Sequence, residues 1–235
     1  MRRGELLRIA HRGASAHAPE NTLAAMIRAA ELGAHMVEMD VHCCGDGTPV
    51  ILHDAHLARS TNGSGSVYEY SLDQLKELDA GQGERIPTLD EAVRCCLEHG
   101  MAPYIELKDP FSVSAAAEII ARLGLHQRAI VTSFRPDWLA DLRSCDAAIV
   151  TSVLFGSLHV DPVALAAAAG ARYVHPGWEY QGLEPHRHLT DEWLARVRGA
   201  GLGIISWHEE RPSEIAALRR LGVDGICSNA PELIG

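Results

Sequence analysis

Two short apolar runs of this sequence end in side chains that could do chemistry. One run leads into His11 and Arg12, and the other carries Glu38 and Asp40. Side chains two positions apart in an extended strand lie on the same face, so this spacing directs both carboxylates to one point. Two carboxylates that face one point repel each other unless a cation lies between them. The pattern therefore predicts a cation site and, with it, an enzyme.

A third acidic side chain is expected at the same point. Glu106 and Lys108 repeat the two-residue spacing at the end of the third predicted strand. In barrel order, Glu106 lies beside Glu38 and Asp40. An all-oxygen ligand set suits a hard cation, Mg²⁺ or Ca²⁺, better than zinc, which prefers His and Cys. The alternative is a layer of salt bridges in which these acids pair with Arg12 or Lys108.

Two histidines stand where they could transfer protons. His11 ends the first predicted strand, and His53 follows a short apolar run. Imidazole has an unperturbed pKa near 6.5, so near neutral pH it can accept a proton from one oxygen and donate one to another. Most of the 13 histidines are expected to be structural or solvated. His42, His175 and His208 stay open, because each lies at or just past a strand end.

Composition limits the class of protein and its partners. A chain of 235 residues with 47% hydrophobic content suits one globular domain over residues 1–235. A net charge of -10 argues against sequence-independent nucleic-acid binding, although a small anionic substrate remains compatible with it. The absence of a secretory signal and of long apolar runs predicts a cytoplasmic protein with no membrane span. Six cysteines without CxxC spacing predict free, mostly buried thiols, and the oligomeric state stays open.

The order of predicted elements favours a barrel. Short β-rich runs alternate with runs of helical spacing, as is typical of βα units around a parallel sheet. Residues with strand character are 7–10, 36–41, 103–107, 129–132, 148–153, 172–175, 203–207 and 224–227. Expected helix ends are Gly33, Gly100, Gly124, Gly170, Gly201 and Gly222. We predict an α/β fold, a (β/α)8 TIM barrel, with an open doubly wound sheet as the alternative.

One interval breaks this rhythm. Residues from about 42 to 88 are rich in Gly, Ser, Asp and Tyr and contain a second short β-like run at 49–52. A loop of this length inside a compact domain is usually functional. Because it follows the second strand, we predict a small inserted lobe that overhangs the pocket at the carboxyl end of the barrel.

Seven short motifs, in this order, resemble the glycerophosphodiester phosphodiesterase family. They are His11-Arg12-Gly13, Pro19-Glu20-Asn21-Thr22, Glu38-Met39-Asp40-Val41, His53-Asp54, Ile86-Pro87-Thr88-Leu89, Ile105-Glu106-Leu107-Lys108 and Gly222-Val223-Asp224-Gly225-Ile226. The resemblance spans nearly the whole chain. It implies a (β/α)8 barrel with a small insertion after the second strand, and metal-dependent hydrolysis of glycerophosphodiesters, as small-molecule substrates, to glycerol 3-phosphate and an alcohol.

The resemblance also implies roles for individual residues. The implied metal ligands are Glu38, Asp40 and Glu106, the acid/base pair is His11 and His53, and the groups that hold phosphate oxygens are Arg12 and Lys108. In the family's scheme, the glycerol hydroxyl next to the ester attacks phosphorus while one histidine accepts its proton. The other histidine protonates the departing alcohol, and water then opens a cyclic phosphate.

The chain departs from the family pattern near the seventh strand. Relatives often show Trp-Thr-Val-Asn where this sequence reads Trp207-His208-Glu209-Glu210, and Ser228-Asn229 replaces a terminal Thr-Asp. Trp207 is expected to bind substrate by packing against the glycerol carbons. Acids beside it would favour a choline- or ethanolamine-like head group. The alternative is that Trp207 is barrel core and the acids are a solvated helix start.

Two other functions stay open. A related phosphodiesterase could act on lysophospholipids, but residues 55–74 carry few apolar side chains, which favours a water-soluble substrate. A catalytically silent barrel could bind phosphorylated ligands, although such relatives usually lose a histidine or a metal ligand. This chain keeps all five.

Overall fold

Nine β-strands form one sheet in the computed structural model, which describes residues 6–235. They are β1 (Leu7–Ala10), β2 (Met36–Cys43), β3 (Pro49–Ile51), β4 (Ala102–Leu107), β5 (Ile130–Ser133), β6 (Val150–Phe155), β7 (Tyr173–Pro176), β8 (Gly203–Ser206) and β9 (Gly225–Ser228). β3 pairs antiparallel with β2, and the other pairings are parallel. Because β1 pairs with both β2 and β9, eight parallel strands close into the predicted barrel.

Helices connect successive strands around the barrel. They are α1 (Leu23–Glu31), α2 (Leu72–Lys76), α3 (Leu89–Glu98), α4 (Ser112–Leu123), α5 (Pro136–Cys145), α6 (Pro162–Ala169), α7 (Asp191–Gly199) and α8 (Pro212–Leu221). The six glycines predicted at helix ends all have φ between 61° and 78°, a left-handed conformation that suits glycine. β6 begins two residues later than predicted, because Asp146 accepts hydrogen bonds from the backbone N–H groups of Ala148 and Ile149 and holds a turn there.

The barrel interior changes from apolar to polar along its strands. Its lower layer includes Ile9, Met36, Tyr104, Ile130, Val150, Ile205 and Cys227, which come from seven different strands and contact one another. The residues two positions further along share that inward face. They are His11, Glu38, Glu106, Thr132, Ser152, Trp207 and Asn229. The apolar layer thus supports a polar layer at the carboxyl end of the barrel.

The segment between β2 and α3 has an apolar cluster of its own. This β2–α3 segment contains β3, α2 and two single turns of 3₁₀-helix at Leu57–Arg59 and Val67–Glu69. The cluster consists of Cys44, Val50, Leu52, Leu57, Val67, Leu75, Ala80 and Ile86. Helix α2 was not predicted from the sequence, although Ser71 and Gln74 form a capping box at its start.

The cysteines are free, as predicted, and all but the exposed Cys145 are buried. Among residues 6–235, no helix has the length and apolar character needed to cross a membrane.

Candidate active site

Three buried carboxylates meet at the carboxyl ends of β2 and β4. One oxygen atom from each of Glu38, Asp40 and Glu106 lies within 4.8 Å of the others. The strand register explains this, because Asp40 stands opposite Glu106 and Glu38 shares the inward face of β2. In the part of the chain that the structure describes, this is the one cluster of three or more such groups that could hold a metal ion.

Hydrogen bonds from neighbouring elements hold each carboxylate. The backbone N–H of Arg12 donates to Glu38 Oε2 at 2.9 Å, and Asn21 Nδ2 donates to Asp40 Oδ2 at 2.7 Å. Lys108 Nζ donates to Glu106 Oε1 at 2.6 Å and lies 3.1 Å from Asp40 Oδ1. Glu38 Oε1 is buried without a hydrogen-bond partner, which leaves a carboxyl oxygen free for a ligand.

The electrostatics of the cluster fit a bound cation. Burial, followed by the charges of Asp40 and Glu106, raises the pKa of Glu38 well above its ordinary value. Burial likewise raises the pKa of Glu106 to about 7. Burial acts the same way on Asp40, but Lys108 and Arg12 outweigh it and hold the pKa of Asp40 below its usual range. Lys108 pairs with Glu106 and with Asp40, so ion pairs of the salt-bridge alternative are present, while the raised pKa values of Glu38 and Glu106 are those of acids that face one another and that a cation between them would relieve.

Arg12 lies in a turn whose backbone conformation places its side chain beside the carboxylates. Its side chain lies 3.1 Å from Glu20 and 3.4 Å from Asp40, measured between nitrogen and oxygen. Arg12 adopts a left-handed φ of 57°, which costs free energy in a non-glycine residue and is typical of functional sites. Gly13 follows with a φ of 80°, and a Cβ added there would lie 2.6 Å from the Cβ of Ala25. Only glycine fits this position of the motif.

His11 is buried and fixed from two sides. Its Nδ1 donates to Asn229 Oδ1 at 2.7 Å, and its Nε2 lies 3.9 Å from Glu38 Oε2. The ring of His208 stacks on it with centroids 4.8 Å apart. Burial and the neighbouring Arg12 charge lower the pKa of His11 to about 3, so its imidazole is neutral near pH 7.

His53 lies on the β2–α3 segment and is less buried. Its Nδ1 lies 2.5 Å from Asp54 Oδ1, and Asp54 also pairs with Arg59. The backbone carbonyl of His53 accepts a hydrogen bond from His42 Nε2 at 3.2 Å. The other ring nitrogen of His42 lies 3.0 Å from the hydroxyl of Tyr68. Burial lowers the pKa of His53 as well.

In the region after β8, Glu209 departs from both sequence-based interpretations, whereas the substrate-binding role of Trp207 stays a prediction. Trp207 is half-buried, and its ring lies edge-on to His11 with centroids 6.5 Å apart. Glu209 is buried and forms an ion pair with Arg211, so it is neither a solvated helix start nor free to bind a head group. Glu210 accepts a hydrogen bond from the backbone N–H of Asn229 at 2.8 Å.

Three contacts of the site did not follow from the sequence. Asn21 binds Asp40, Asn229 binds His11, and His42 binds the backbone of His53. Asn229 had a usable signal, because it stands two positions after the inward-facing Cys227. His175, which the sequence left open, accepts or donates a hydrogen bond at 2.6 Å with the hydroxyl of Tyr104 inside the barrel.

A closed (β/α)8 barrel that gathers acids, imidazoles and cationic side chains at the carboxyl ends of its strands is typical of a barrel enzyme that acts on an anionic substrate. Comparison with known proteins makes this specific. The model of the glycerophosphoryl diester phosphodiesterase family matches residues 11–233. The chain belongs to this family, and the prediction of a phosphodiesterase is confirmed.

Individual relatives cover nearly the whole chain. A glycerophosphodiester phosphodiesterase of Caldanaerobacter subterraneus is 32% identical over 238 residues, which are 96% of this chain and 95% of the relative. The structure of a phosphodiesterase of Oleispira antarctica, in complex with the product sn-glycerol-3-phosphate, is 28% identical with a TM-score of 0.86 and covers 98% of this chain and 95% of that chain. A glycerophosphodiester phosphodiesterase structure from Agrobacterium tumefaciens is 27% identical with a TM-score of 0.84, covering 98% and 99%.

Proposed function

We propose that this protein hydrolyses glycerophosphodiesters to glycerol 3-phosphate and an alcohol, with one divalent cation, Mg²⁺ or Ca²⁺, as its cofactor. The observation that carries the proposal is the buried cluster of Glu38, Asp40 and Glu106 beside two imidazoles on the same face of the barrel. Membership of the family and the relative that binds sn-glycerol-3-phosphate support the substrate class.

The three carboxylates would hold the cation. Their all-oxygen chemistry, their burial and the unpartnered Glu38 Oε1 suit a hard divalent ion. When bound, the ion supplies neutralisation of the charge that develops on the phosphoryl oxygens. Lys108 and Arg12 line the same cluster, where an ammonium group and a planar guanidinium can bind further phosphate oxygens.

The two histidines transfer protons between substrate oxygens. The glycerol hydroxyl next to the ester attacks phosphorus, and one imidazole of the pair His11 and His53 accepts its proton. The other imidazole protonates the departing alcohol, and water then opens the cyclic phosphate. Asn229 contacts the ring of His11 and Asp54 contacts the ring of His53, so each imidazole is oriented by a neighbour, while His42 holds the backbone of His53. The half-buried ring of Trp207 packs against the glycerol carbons.

The release of glycerol 3-phosphate from glycerophosphocholine tests this function. We expect release with Mg²⁺ or Ca²⁺ added and its loss with EDTA. Activity that persists unchanged with the chelator would remove the cation from the proposal. Absence of release under every condition would instead favour a silent barrel that binds phosphorylated ligands.

We also propose that residues 1–235 act as one domain, with the β2–α3 segment as an insertion in the barrel. The buried free thiols support a cytoplasmic location, where disulfides are rare.

A further inference from the structure

Arg59 connects two acidic side chains that come from different parts of the barrel mouth. Its Nη1 and Nη2 donate to Glu20 Oε2 and Oε1 at 2.9 and 2.6 Å, and its Nε donates to Asp54 Oδ2. Glu20 lies between β1 and α1, whereas Asp54 and Arg59 lie in the β2–α3 segment. A guanidinium presents its donors in a planar fork, so one arginine can hold both carboxylates. We call Glu20, Arg59 and Asp54 the Arg59 bridge.

Each end of the Arg59 bridge contacts a residue of the candidate active site. At one end, Arg12 Nη1 donates to Glu20 Oε1 at 3.1 Å, which is the oxygen that Arg59 Nη2 also contacts. At the other end, Asp54 Oδ1 lies 2.5 Å from Nδ1 of His53. The bridge therefore joins the side chain proposed to hold phosphate to one of the two imidazoles proposed to transfer protons.

The geometry of the Arg59 bridge restricts the side chains that it joins. A single exposed ion pair contributes little, whereas bidentate contacts and networks of several charges hold their members in one arrangement. The side chain of Arg59 is 45% exposed, but it contacts Glu20 through two nitrogen atoms and Asp54 through a third. Both carboxylates are half-buried. Removal of Arg59 would therefore take donors from both of them at once.

The contact with Asp54 decides which nitrogen of His53 carries the proton. Burial acts to raise the pKa of Asp54, but the hydrogen bonds from Arg59 and His53 outweigh it and hold that pKa below its ordinary value. An ionised carboxylate only accepts hydrogen bonds, so Nδ1 of His53 is the protonated nitrogen. Nε2 is then the nitrogen that can accept a proton from a substrate hydroxyl.

The contact with Glu20 decides how much of the positive charge of Arg12 is free for a ligand. Glu20 Oε1 lies 2.6 Å from Arg59 Nη2 and 3.1 Å from Arg12 Nη1, so Arg59 is its nearer partner. Because Arg59 compensates the charge of Glu20, the guanidinium of Arg12 stays available for a phosphate oxygen. Without Arg59, Glu20 would pair with Arg12 alone and compete with phosphate for it.

Resting on the proposed function, we propose that Arg59 is a positioning residue that couples phosphate binding to proton transfer. Through Asp54 it holds His53 in the tautomer whose proton is on Nδ1. Through Glu20 it keeps the guanidinium of Arg12 free for phosphate. Arg59 acts through these neighbours and not by contact with the substrate.

Steady-state kinetics with glycerophosphocholine and Mg²⁺ test the two connections separately. We expect Arg59→Ala to lower kcat at least about tenfold, because the ring of His53 loses its fixed orientation. The same variant should raise KM about fivefold, because Glu20 then occupies Arg12. Adding Glu20→Gln to Arg59→Ala should restore KM and leave kcat low. Arg59→Lys should recover only part of kcat, because an ammonium group lacks the planar fork.

Chemical rescue separates positioning from a general folding defect. Guanidinium ion at millimolar concentration should restore kcat of Arg59→Ala, because the ion can take the place of the missing side chain between the two carboxylates. The matched control is Arg94→Ala, which removes an arginine of similar exposure that donates to Asp90 within α3. That variant should keep the wild-type kcat and KM and should not respond to guanidinium.

NMR of nitrogen-labelled imidazoles gives a readout that does not depend on activity. We expect His53 in the wild-type protein to show one tautomer, protonated on Nδ1, and His53 in Arg59→Ala to show both tautomers. The variant His53→Gln identifies the signals. The proposal is overturned if Arg59→Ala keeps the single tautomer, if Glu20→Gln does not restore KM, or if Arg94→Ala loses as much activity. If the wild-type protein does not cleave glycerophosphocholine, the proposed function fails, whereas the tautomer of His53 still decides the role of Arg59.

Discussion

The two halves of the barrel mouth differ in the charge and the burial of their side chains. The half formed by β1, β2, β4 and the β2–α3 segment holds the carboxylate cluster, Arg12, Lys108 and His53, each tied to a named partner. The half formed by the loops after β5, β6 and β7 carries four exposed apolar side chains, Phe134, Leu158, Tyr180 and Leu183. Substitutions in the first half should therefore lower the rate on glycerophosphocholine strongly, and substitutions of the exposed side chains in the second half should lower it less.

The largest effect is expected in the carboxylate cluster. Asp40→Asn keeps the shape of the side chain but removes the charge that Lys108 and Arg12 stabilise. We expect kcat/KM for glycerophosphocholine to fall about 10³-fold or more, because charge neutralisation at phosphorus is lost. Asp141→Asn, on the exposed face of α5, is the control and should retain full activity. A nearly normal rate in Asp40→Asn, with an unchanged thermal midpoint, would show that the polar half does not depend on this cluster.

The two histidines come next. His11→Ala and His53→Ala should each lower kcat/KM on the order of 10²-fold, because each removes one proton transfer. His99→Ala, at the end of α3, removes an exposed imidazole and should change nothing. If either site variant keeps the wild-type rate, that histidine is a bystander, and the reaction does not use a pair.

Cation affinity should depend on pH in a defined direction. Burial raises the pKa of Glu106 to about 7, so in the metal-free protein this carboxyl is protonated below that pH and ionised above it. Because a cation binds the ionised forms of Glu106 and of Glu38, whose pKa is also raised, affinity should rise by at least about tenfold per pH unit up to about pH 7. Calorimetric titration with Mg²⁺ or Ca²⁺ measures this. An affinity that is flat from about pH 5 to about pH 8 would mean that Glu106 is not a ligand.

A smaller loss is expected when the support of His53 is removed. His42→Ala deletes the donor to the His53 carbonyl and should lower kcat about tenfold with little change in KM. His42→Gln, which can still donate, should recover most of that loss. The effect should vanish in a His53→Ala background, whereas a general folding defect would lower the rate there as well. Thermal unfolding of each variant separates the two outcomes.

Local signals made much of the fold and part of the site predictable. Glycines at helix ends and the two-residue spacings of Glu38 with Asp40 and of Glu106 with Lys108 act within a few residues. The predicted order of the strands then brought the two pairs together, so the barrel and the acid cluster followed from the sequence. The partners of the histidines did not. Asn229 contacts His11 across 218 positions of sequence, and such a contact depends on how β9 closes the barrel against β1.

The exposure of four apolar side chains after β5, β6 and β7 was unpredictable for a different reason. Phe134, Leu158, Tyr180 and Leu183 lie in three separate loops, and a lone hydrophobic residue usually indicates core. These side chains are exposed because they lie in the loops between the strands and the following helices, where no helix covers them. The β8–α8 region shows the opposite case, because Glu209 looks solvent-exposed in the sequence but is buried against Arg211.

The smallest effect should appear at the boundary between the two halves, where Asn229 holds His11. Asn229→Ala removes one hydrogen bond from the imidazole and should lower kcat about fivefold, the worth of one such bond. Asn62→Ala is the matched control, since that amide accepts a hydrogen bond from the backbone of Asp79 in the β2–α3 segment. Because Asn229 acts through His11, its substitution should have no effect in a His11→Ala background. A full fivefold loss in that background would mean that Asn229 supports the barrel mouth as a whole, and the two halves would then not be separable at this residue.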